Sequence, residues 1–269
     1  MERKTIGFIG AGKMAEALIG GLISKGVFEA GSIIACAPSE KTRNHVAGTY
    51  GIEMFATAAE VTARSDLLVL AVKPKHVLGV LSEEGVEIDA GKTLISIVAG
   101  LTIDALKSNV PDCKIIRVMP NHCCMVLEGA MGYSCDPSVD AETELSVQEI
   151  LSAVGLAVKV DESYMDAITG VAGSSPAFMY LVLDAMASAG VLNGLSYNDS
   201  IRLAAQSMLG AAKMVLETGK HPDILRDEVC SPGGTTIEGV RTMEDMGVRS
   251  AMIAAVDDTI KKSRKMSGN

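Results

Sequence analysis

The chain has 269 residues, of which 48% are hydrophobic and 3% aromatic, and its formal net charge is −9. That length suits one large or two medium-sized domains with well-filled cores. The negative charge, and the lack of a basic patch with interleaved aromatic residues, argue against nucleic acid as a partner.

Composition also favours a cytoplasmic protein that binds no metal. No apolar run approaches the length of a bilayer span, and the glycine motif at residues 10–15 begins too early to follow a cleaved leader, so we expect no membrane partner. The cysteines show neither a secreted disulfide rhythm nor paired zinc-ligand spacing. In His122-Cys123-Cys124 the side chains are adjacent and poorly placed to close one tetrahedral site, so we interpret this segment as structural.

The first element is a strand at residues 6–9, followed at once by Gly-Ala-Gly-Lys-Met-Ala at residues 10–15 and then by apolar residues at helical spacing. Strand, Gly-x-Gly-x-x-Ala and helix together form the dinucleotide fingerprint; the alternative is a plain tight turn. Gly10 permits the turn, Gly12 lets the backbone approach a pyrophosphate, and Ala15 allows close helix packing. The predicted cofactor-binding residues here are Ile9, Gly10, Ala11, Gly12, Lys13 and Met14.

The second strand, at residues 33–36, lacks the carboxylate that usually binds the ribose 2′-hydroxyl of NAD at this position. It leads instead into Pro38 and Ser39, with Lys41 and Arg43 just beyond. A hydroxyl and two cations attract a 2′-phosphate, so these four residues predict NADPH in preference to NADH, which stays possible. The alternative is that Lys41 and Arg43 are ordinary solvated helix charges.

Strands and helical patterns then alternate, which predicts an α/β, Rossmann-like domain with a mainly parallel, doubly wound sheet. Ligands of such sheets bind at the carboxyl ends of the strands. Two segments at such ends are predicted to line the nicotinamide half of the cofactor: Ala71, Val72, Lys73 and Pro74, and Val98 with Ala99. The remaining predicted strands span residues 52–55, 67–72, 93–98, 115–119, 130–133 and 157–160.

After Lys159 the strand signal disappears and helical patterns continue to the end. The predicted domains are therefore residues 1–159, which bind the dinucleotide, and residues 160–269, which form an all-α domain. Pro176 suits a first helical turn and Ser196 an N-cap. Because this half is apolar and carries small residues suited to close helix contact, we expect it to bury part of its surface against a second copy and form a homodimer. The predicted helices span residues 166–172, 176–189, 197–217, 222–228, 236–246 and 248–265.

A polar loop at residues 230–236 reads Cys-Ser-Pro-Gly-Gly-Thr-Thr between two of these helices. Pro232 lacks an amide hydrogen, and Gly233 and Gly234 allow conformations closed to other residues. Such a loop can direct several N–H groups toward one carboxylate or phosphate, and Thr235 and Thr236 can cap the next helix or contact a ligand. The alternative is a simple helix–helix turn with an N-cap.

Five motifs in order along the chain resemble pyrroline-5-carboxylate reductases over essentially its whole length. They are Gly-Ala-Gly-Lys-Met-Ala at 10–15, Ala-Val-Lys-Pro at 71–74, Arg-Val-Met-Pro-Asn at 117–121, Gly-Ser-Ser-Pro-Ala-Phe at 173–178 and Ser-Pro-Gly-Gly-Thr-Thr at 231–236. The resemblance implies NADPH-dependent reduction of 1-pyrroline-5-carboxylate to L-proline, by hydride transfer to the cyclic iminium carbon, in a protein with a dimeric helical domain.

The same resemblance implies roles for individual residues. Thr236 would bond the ring nitrogen and act as the catalytic residue, while the substrate carboxylate would bind among Ser231, Gly233, Gly234 and Thr235. Lys73 and its neighbours would contact the cofactor. The chain departs from the usual pattern at His122-Cys123, at Ser175, and at Ala58, where a polar cofactor contact is common.

Two alternatives remain at this point. One is a β-hydroxyacid dehydrogenase-type reductase, which generally carries a lysine on the long helix after the sheet domain; residues 176–189 contain none. The other is a non-catalytic NADP-binding sensor, in which the 231–236 loop would have no task. Assembly beyond a dimer, and whether two subunits complete the pocket, also stay open.

Overall fold

An eight-stranded sheet forms the centre of the first part of the chain in the computed structural model, which describes residues 4–267. All the predicted strands are present. Their apolar runs pack on both faces, as is typical of strands in a mainly parallel sheet. The strands are β1 (Ile6–Ile9), β2 (Ile33–Cys36), β3 (Glu53–Phe55), β4 (Leu67–Leu70), β5 (Thr93–Ser96), β6 (Lys114–Met119), β7 (Gly129–Cys135) and β8 (Gly155–Lys159).

The strand order is β3-β2-β1-β4-β5-β6-β7-β8, and every neighbouring pair is parallel except β6 and β7. The reversal at β7 follows from a short connection. Only residues 120–128 separate the two strands, and a parallel return needs a longer crossover. Leu127 takes a left-handed conformation there, with φ of 61°. The predicted mainly parallel, doubly wound architecture is confirmed.

Helices cover both faces of the sheet and bury two apolar clusters. One cluster joins Phe8 and Leu18 to Leu151, and the other joins Leu70 and Val61 to Leu106. Each of these side chains is almost fully buried, and this burial stabilises the packing of the helices on the sheet. The helices around the sheet are α1 (Lys13–Ser24), α2 (Glu40–Tyr50), α3 (Ala58–Thr62), α4 (Val77–Leu81), α5 (Ile103–Lys107), α6 (Ala141–Ser152) and α7 (Met165–Ile168).

The chain divides into two compact units. The first comprises the sheet and the residues up to Ser174, together with the segment from Thr259 onward, and the second comprises residues 175–258. The division lies after the predicted boundary at Lys159 because Glu162, α7 and the π-helical turn Thr169–Gly173 pack on sheet residues. The last helix begins in the second unit and ends in the first. As a functional boundary, Lys159 stays a prediction.

The second part of the chain is helical, as predicted. Its helices are α8 (Ser175–Leu192), α9 (Tyr197–Thr218), α10 (Pro222–Val229), α11 (Thr235–Asp245) and α12 (Val248–Ser267). Pro176 lies in the first turn of α8, and the Ser196 hydroxyl caps α9 by accepting a hydrogen bond from the Asp199 N–H at 3.1 Å. Contacts between α8 and α9 are the most extensive in this unit.

One helical stretch, residues 162–192, is long and apolar enough to cross a bilayer by length and composition alone. The expectation that no run has this length was therefore wrong. The stretch is apolar enough because Val, Ala, Leu and Met side chains raise its mean hydropathy and few charged residues interrupt it. Many of these side chains are solvent-exposed in the single chain; Leu181 is 73% exposed and Leu192 is 86% exposed.

Candidate functional site

The carboxyl ends of four adjacent strands meet at one edge of the sheet, and every predicted cofactor-binding residue lies there. Hydrogen bonds continue beyond the strands: Ala71 N–H donates to Ile9 O at 2.9 Å, and Gly10 N–H donates to Cys36 O at 3.2 Å. These bonds fix the loops relative to one another. The residues brought together are Ile9 to Met14 after β1, Pro38, Ser39, Lys41 and Arg43 after β2, Ala71 to Pro74 after β4, and Val98 and Ala99 after β5.

Gly10 lies where the chain cannot accept a side chain. Its φ is +101°, and a Cβ atom there would come within 2.8 Å of the Ala71 carbonyl oxygen. Because a backbone atom causes this clash and φ is positive, a substitution would displace the loop between β1 and α1. The predicted role of Gly10 in a tight turn is thereby explained.

Gly12 differs from Gly10, because a Cβ atom there would meet nothing within 4 Å. Gly12 is the N-cap of α1, and no side chain caps this helix. The N–H groups of Lys13 and Met14 have no acceptor among residues 4–267. An open approach to uncapped N–H groups and the positive end of a helix dipole suits a pyrophosphate.

Arg43 organises the loop after β2. Its Nη1 donates to the carbonyl oxygens of Ala37 at 2.8 Å and Pro38 at 2.9 Å. Arg43 therefore has specific backbone partners and is not an ordinary solvated helix charge. The Lys41 ammonium makes no such hydrogen bond among the described residues. The Ser39 hydroxyl caps α2 only loosely, accepting from Thr42 N–H at 3.5 Å. Ser39, Lys41 and Arg43 thus all lie at the start of α2, and their role in binding a 2′-phosphate stays a prediction.

The segments after β4 and β5 complete this edge. Lys73 precedes a short 3₁₀ turn, Pro74–His76, and its carbonyl accepts the His76 N–H at 2.9 Å. After β5, the buried Ser96 hydroxyl accepts from Val98 N–H at 3.4 Å, so Val98 is held close to the strand end. Backbone atoms and small side chains dominate these segments, which suits a flat ring packing against them.

Sequence reasoning did not single out Glu16, a buried carboxylate in the first turn of α1. Its side chain is 9% exposed and contacts His45 Nε2 at 3.1 Å and Lys13 Nζ at 3.4 Å. Burial raises the pKa of the nearby Tyr50 hydroxyl, and Glu16 adds to that shift. A Glu on the otherwise apolar face of a predicted helix was the available signal.

Asn121, the last residue of the Arg-Val-Met-Pro-Asn motif at 117–121, is a structural residue in this fold. Its Oδ1 accepts from Cys123 N–H at 3.1 Å and from Ala130 N–H at 3.2 Å, and its Nδ2 donates to Ala172 O at 3.1 Å. The departures at His122 and Cys123 lie in the 3₁₀ turn that Asn121 caps. Within residues 4–267, no group of three His, Cys, Asp or Glu side chains could hold a metal.

The 231–236 loop of the second unit is a β-turn followed by an uncapped helix. Gly234 N–H donates to Ser231 O at 3.0 Å, and Gly233 has φ of +67°. Pro at the second position and a positive-φ Gly at the third are typical of a type II turn. Gly234, not a threonine, is the N-cap of α11, and no side chain caps this helix. The possibility that Thr235 or Thr236 caps it is therefore wrong.

This geometry leaves donors facing solvent. The N–H groups of Gly233, Thr235 and Thr236, and the hydroxyls of both threonines, have no acceptor within the described part of the chain. Thr235 and Thr236 are solvent-exposed. The turn thus presents several unused donors beside a helix N-terminus, which is an arrangement suited to a carboxylate. Ser231, Gly233, Gly234, Thr235 and Thr236 all lie in this turn and the start of α11, and their role as substrate-binding residues stays a prediction.

Comparisons with known proteins find family matches in both halves of the chain. Residues 162–266 match the family model described as pyrroline-5-carboxylate reductase dimerisation, and residues 5–100 match that described as NADP oxidoreductase coenzyme F420-dependent. The chain is 42% identical over 267 residues to the pyrroline-5-carboxylate reductase of Methanosarcina acetivorans, covering 99% of each.

Solved structures give the same result along the full length. A pyrroline-5-carboxylate reductase from Coxiella burnetii superposes with a TM-score of 0.89 at 29% identity, covering 98% of this chain and 99% of that chain. A Plasmodium falciparum pyrroline carboxylate reductase with NADP bound superposes with a TM-score of 0.87 at 30% identity, covering 99% of each.

Proposed function

Because the chain belongs to the pyrroline-5-carboxylate reductase family, we propose that the 231–236 loop is its substrate site and that the edge after β1, β2, β4 and β5 is its cofactor site. The protein is an NADP-dependent oxidoreductase that reduces 1-pyrroline-5-carboxylate to proline. Family membership also sets aside the β-hydroxyacid dehydrogenase alternative. The single observation that supports the proposed substrate site is the turn at Gly234, which leaves the α11 N-terminus uncapped.

The substrate carboxylate would bind to backbone groups, not to a cation. The N–H groups of Gly233, Thr235 and Thr236 lie in one turn and the first helical residues, where the helix dipole favours negative charge. The Ser231 hydroxyl lies against Gly234, since a Cβ atom there would be 2.3 Å from Ser231 Oγ. A fixed cradle of this kind orients the ring as well as binding it.

Thr236 would hold the ring nitrogen. Its hydroxyl has no hydrogen-bond partner among residues 4–267 and lies one residue inside α11, next to the proposed carboxylate cradle. A hydroxyl is both donor and acceptor, so it can accept a hydrogen bond from a protonated imine and return a donor to the amine product. No strong protein acid is needed, because the imine can bind already protonated.

The cofactor edge fits a dinucleotide. Gly12 leaves open space before the uncapped start of α1, while Gly10 brings the loop against Ala71. Residues 10–14 would hold the pyrophosphate, and Arg43, Lys41 and Ser39 would hold a 2′-phosphate, favouring NADPH over NADH. The residues proposed to border the nicotinamide are Ala71, Val72, Lys73, Pro74, Val98 and Ala99. When bound, the reduced nicotinamide supplies the hydride that the imine carbon accepts.

We also propose that the protein is a cytoplasmic homodimer. Residues 162–266 match a dimerisation model, and the second unit exposes large apolar side chains, including Leu181, Leu192 and Leu216, the last 73% exposed. Burial against a second copy would remove that surface from water. The same burial would account for the apolar stretch at 162–192 without a membrane. Light scattering tests this: twice the chain mass supports it, and a monomer at working concentration overturns it.

One assay tests the proposed function. Purified protein is given 1-pyrroline-5-carboxylate with NADPH, and proline formation and NADPH oxidation are followed together. Equal rates of both, which fall when Thr236→Ala is assayed, support the proposal. NADPH binding without turnover would support the sensor alternative instead. Repeating the assay with NADH tests the cofactor preference, and a clear preference for NADH would overturn the proposed roles of Lys41 and Arg43.

A further inference from the structure

The segment from Ile97 to Ile103, here named the β5–α5 loop, carries Val98 and Ala99 and is held from two sides by residues from far along the chain. On one side, Glu162 Oε1 accepts the Ile103 N–H at 2.8 Å. The same oxygen accepts from Arg117 Nη1 at 2.9 Å, and the Arg117 side chain is 8% exposed. A charge pair between the buried Arg117 and the partly exposed Glu162 therefore fixes the α5 end of this loop.

The other side of the loop lies beside the end of α12. Gly100 has φ of +75°, and a Cβ atom there would lie 3.8 Å from Met266 O and 3.9 Å from Ser267 Oγ. The last turn of α12 therefore lies beside the turn that follows Val98 and Ala99, close enough to meet any side chain placed at position 100. Neither the spacing of apolar residues nor the family motifs indicate this contact.

A buried carboxylate fixes that last turn of α12. Asp166, in the first turn of α7, is 7% exposed, and its Oδ1 accepts from the Ser263 hydroxyl at 2.6 Å. The Ser267 hydroxyl also lies within reach of Oδ1, at 3.4 Å, and of Ser263 O, at 3.2 Å. This short bond to a carboxylate oxygen ties α12 to α7.

We infer that Asp166 and Ser263 are positioning residues for the cofactor: by docking the end of α12 against Gly100, they fix the loop that carries Val98 and Ala99. Neither residue would touch the cofactor. The inference rests on the proposed placement of the nicotinamide beside these two residues. The inference adds that the affinity for NADPH depends on the hydrogen bond between Ser263, near the end of α12, and Asp166.

The test compares Ser263→Ala with two controls. Ser250→Ala removes a hydroxyl from the exposed, opposite end of α12, and Ser263→Thr keeps the hydroxyl at the critical position. The dissociation constant for NADPH is measured by fluorescence quenching, and hydrogen–deuterium exchange is followed in residues 97–103. The two Michaelis constants are measured separately.

Ser263→Ala is expected to raise the NADPH dissociation constant about three- to tenfold and to speed exchange in residues 97–103, because one charge-assisted hydrogen bond is lost. The Michaelis constant for the imine should change less than about twofold, and both control variants should match the wild type. In an Asp166→Ala background, Ser263→Ala should add no further effect.

Two outcomes distinguish a failure of the proposed nicotinamide placement from a failure of this inference alone. If NADPH does not slow exchange of residues 97–103 in the wild type, the nicotinamide is not beside this loop and the inference fails with that placement. If NADPH slows exchange but Ser263→Ala binds NADPH like the wild type, or Ser263→Thr behaves like Ser263→Ala, the inference alone is overturned.

Discussion

The backbone N–H of Gly234 donates a hydrogen bond to the carbonyl oxygen of Ser231 at 3.0 Å, which closes the turn before α11. This bond places the Ser231 hydroxyl directly over the α-carbon of Gly234, where a Cβ atom would be 2.3 Å away. The proposed substrate cradle therefore depends on a missing side chain, and a single methyl group is enough to test it.

Gly234→Ala is expected to weaken substrate binding selectively. The new Cβ atom would push the Ser231 hydroxyl out of the turn, while the backbone conformation of Gly234, with φ of −81°, is open to Ala. We expect the Michaelis constant for 1-pyrroline-5-carboxylate to rise about tenfold, the effect of one displaced hydrogen-bonding group, with NADPH binding unchanged.

The matched control is Gly239→Ala in the same helix, where a Cβ atom meets nothing within 4 Å. Ala is favoured over Gly in a helix interior by up to about 1 kcal/mol, so this variant should be as active and at least as stable as the wild type. Equal loss in both variants would mean that α11 is simply sensitive to change.

Sequence patterns predicted the sheet well because most strands are short and rich in apolar residues, as in the Leu-Leu-Val-Leu run at residues 67–70. They also located the starts of α1 and α11 directly after the two glycine-containing motifs. The reversal at β7 was not predicted, because it depends on the length of the connection and on strand pairing, not on local composition.

Long-range polar contacts could not be predicted from the sequence either. Asp166 and Ser263 are 97 residues apart and look like ordinary polar residues at helix ends. The link from Glu162 to Ile103 N–H is likewise invisible to any local pattern. The threonines after Gly234 were read as possible caps because hydroxyls favour that position, whereas the turn geometry makes the glycine the N-cap.

Gly12→Ala is expected to separate cofactor binding from folding. With φ of −85° and open space around the new Cβ atom, the substitution should leave the unfolding free energy within about 1 kcal/mol of the wild type. The methyl group would nevertheless occupy the approach to the α1 N-terminus, so the NADPH dissociation constant should rise at least about tenfold.

Gly48→Ala in α2 is the control for Gly12→Ala, since a Cβ atom at Gly48 also meets nothing within 4 Å. It should bind NADPH normally. Isothermal titration calorimetry and thermal melting of both variants decide the matter. Undiminished NADPH binding by Gly12→Ala would remove the α1 N-terminus from the proposed site.

Arg43→Ala is expected to reduce the preference for NADPH. The substitution removes a guanidinium from the start of α2 and releases the carbonyl oxygens of Ala37 and Pro38. We expect the Michaelis constant to rise about tenfold or more for NADPH and much less for NADH, because only NADPH carries the 2′-phosphate. An equal rise for both cofactors would mean that Arg43 only shapes the loop. Lys41→Ala provides a comparison without the carbonyl bonds.

Thr236→Ala is expected to lower kcat by about one to two orders of magnitude, because the hydroxyl that orients the ring nitrogen is lost. Thr242→Ala is the control; its hydroxyl donates to Glu238 O within the same helix at 3.1 Å. That variant should keep full activity. Unchanged turnover in Thr236→Ala would exclude Thr236 from the reaction.

The buried thiol of Cys113 is expected to resist alkylation in the native protein. Burial raises its pKa to about 11, so at pH 8 only about one molecule in a thousand carries the reactive thiolate. Reactivity should rise with pH toward 11 and appear at once on unfolding. Mass spectrometry after brief iodoacetamide treatment measures this; rapid native labelling of Cys113 at pH 8 would contradict the burial.

A crystal structure with NADPH and a proline analogue tests the proposed substrate site most directly. The analogue's carboxylate should lie within hydrogen-bond distance of the N–H groups at positions 233, 235 and 236, with its ring nitrogen at the Thr236 hydroxyl and its ring facing the nicotinamide. A carboxylate bound elsewhere, with these N–H groups of either subunit turned away from the nicotinamide, would contradict the assignment.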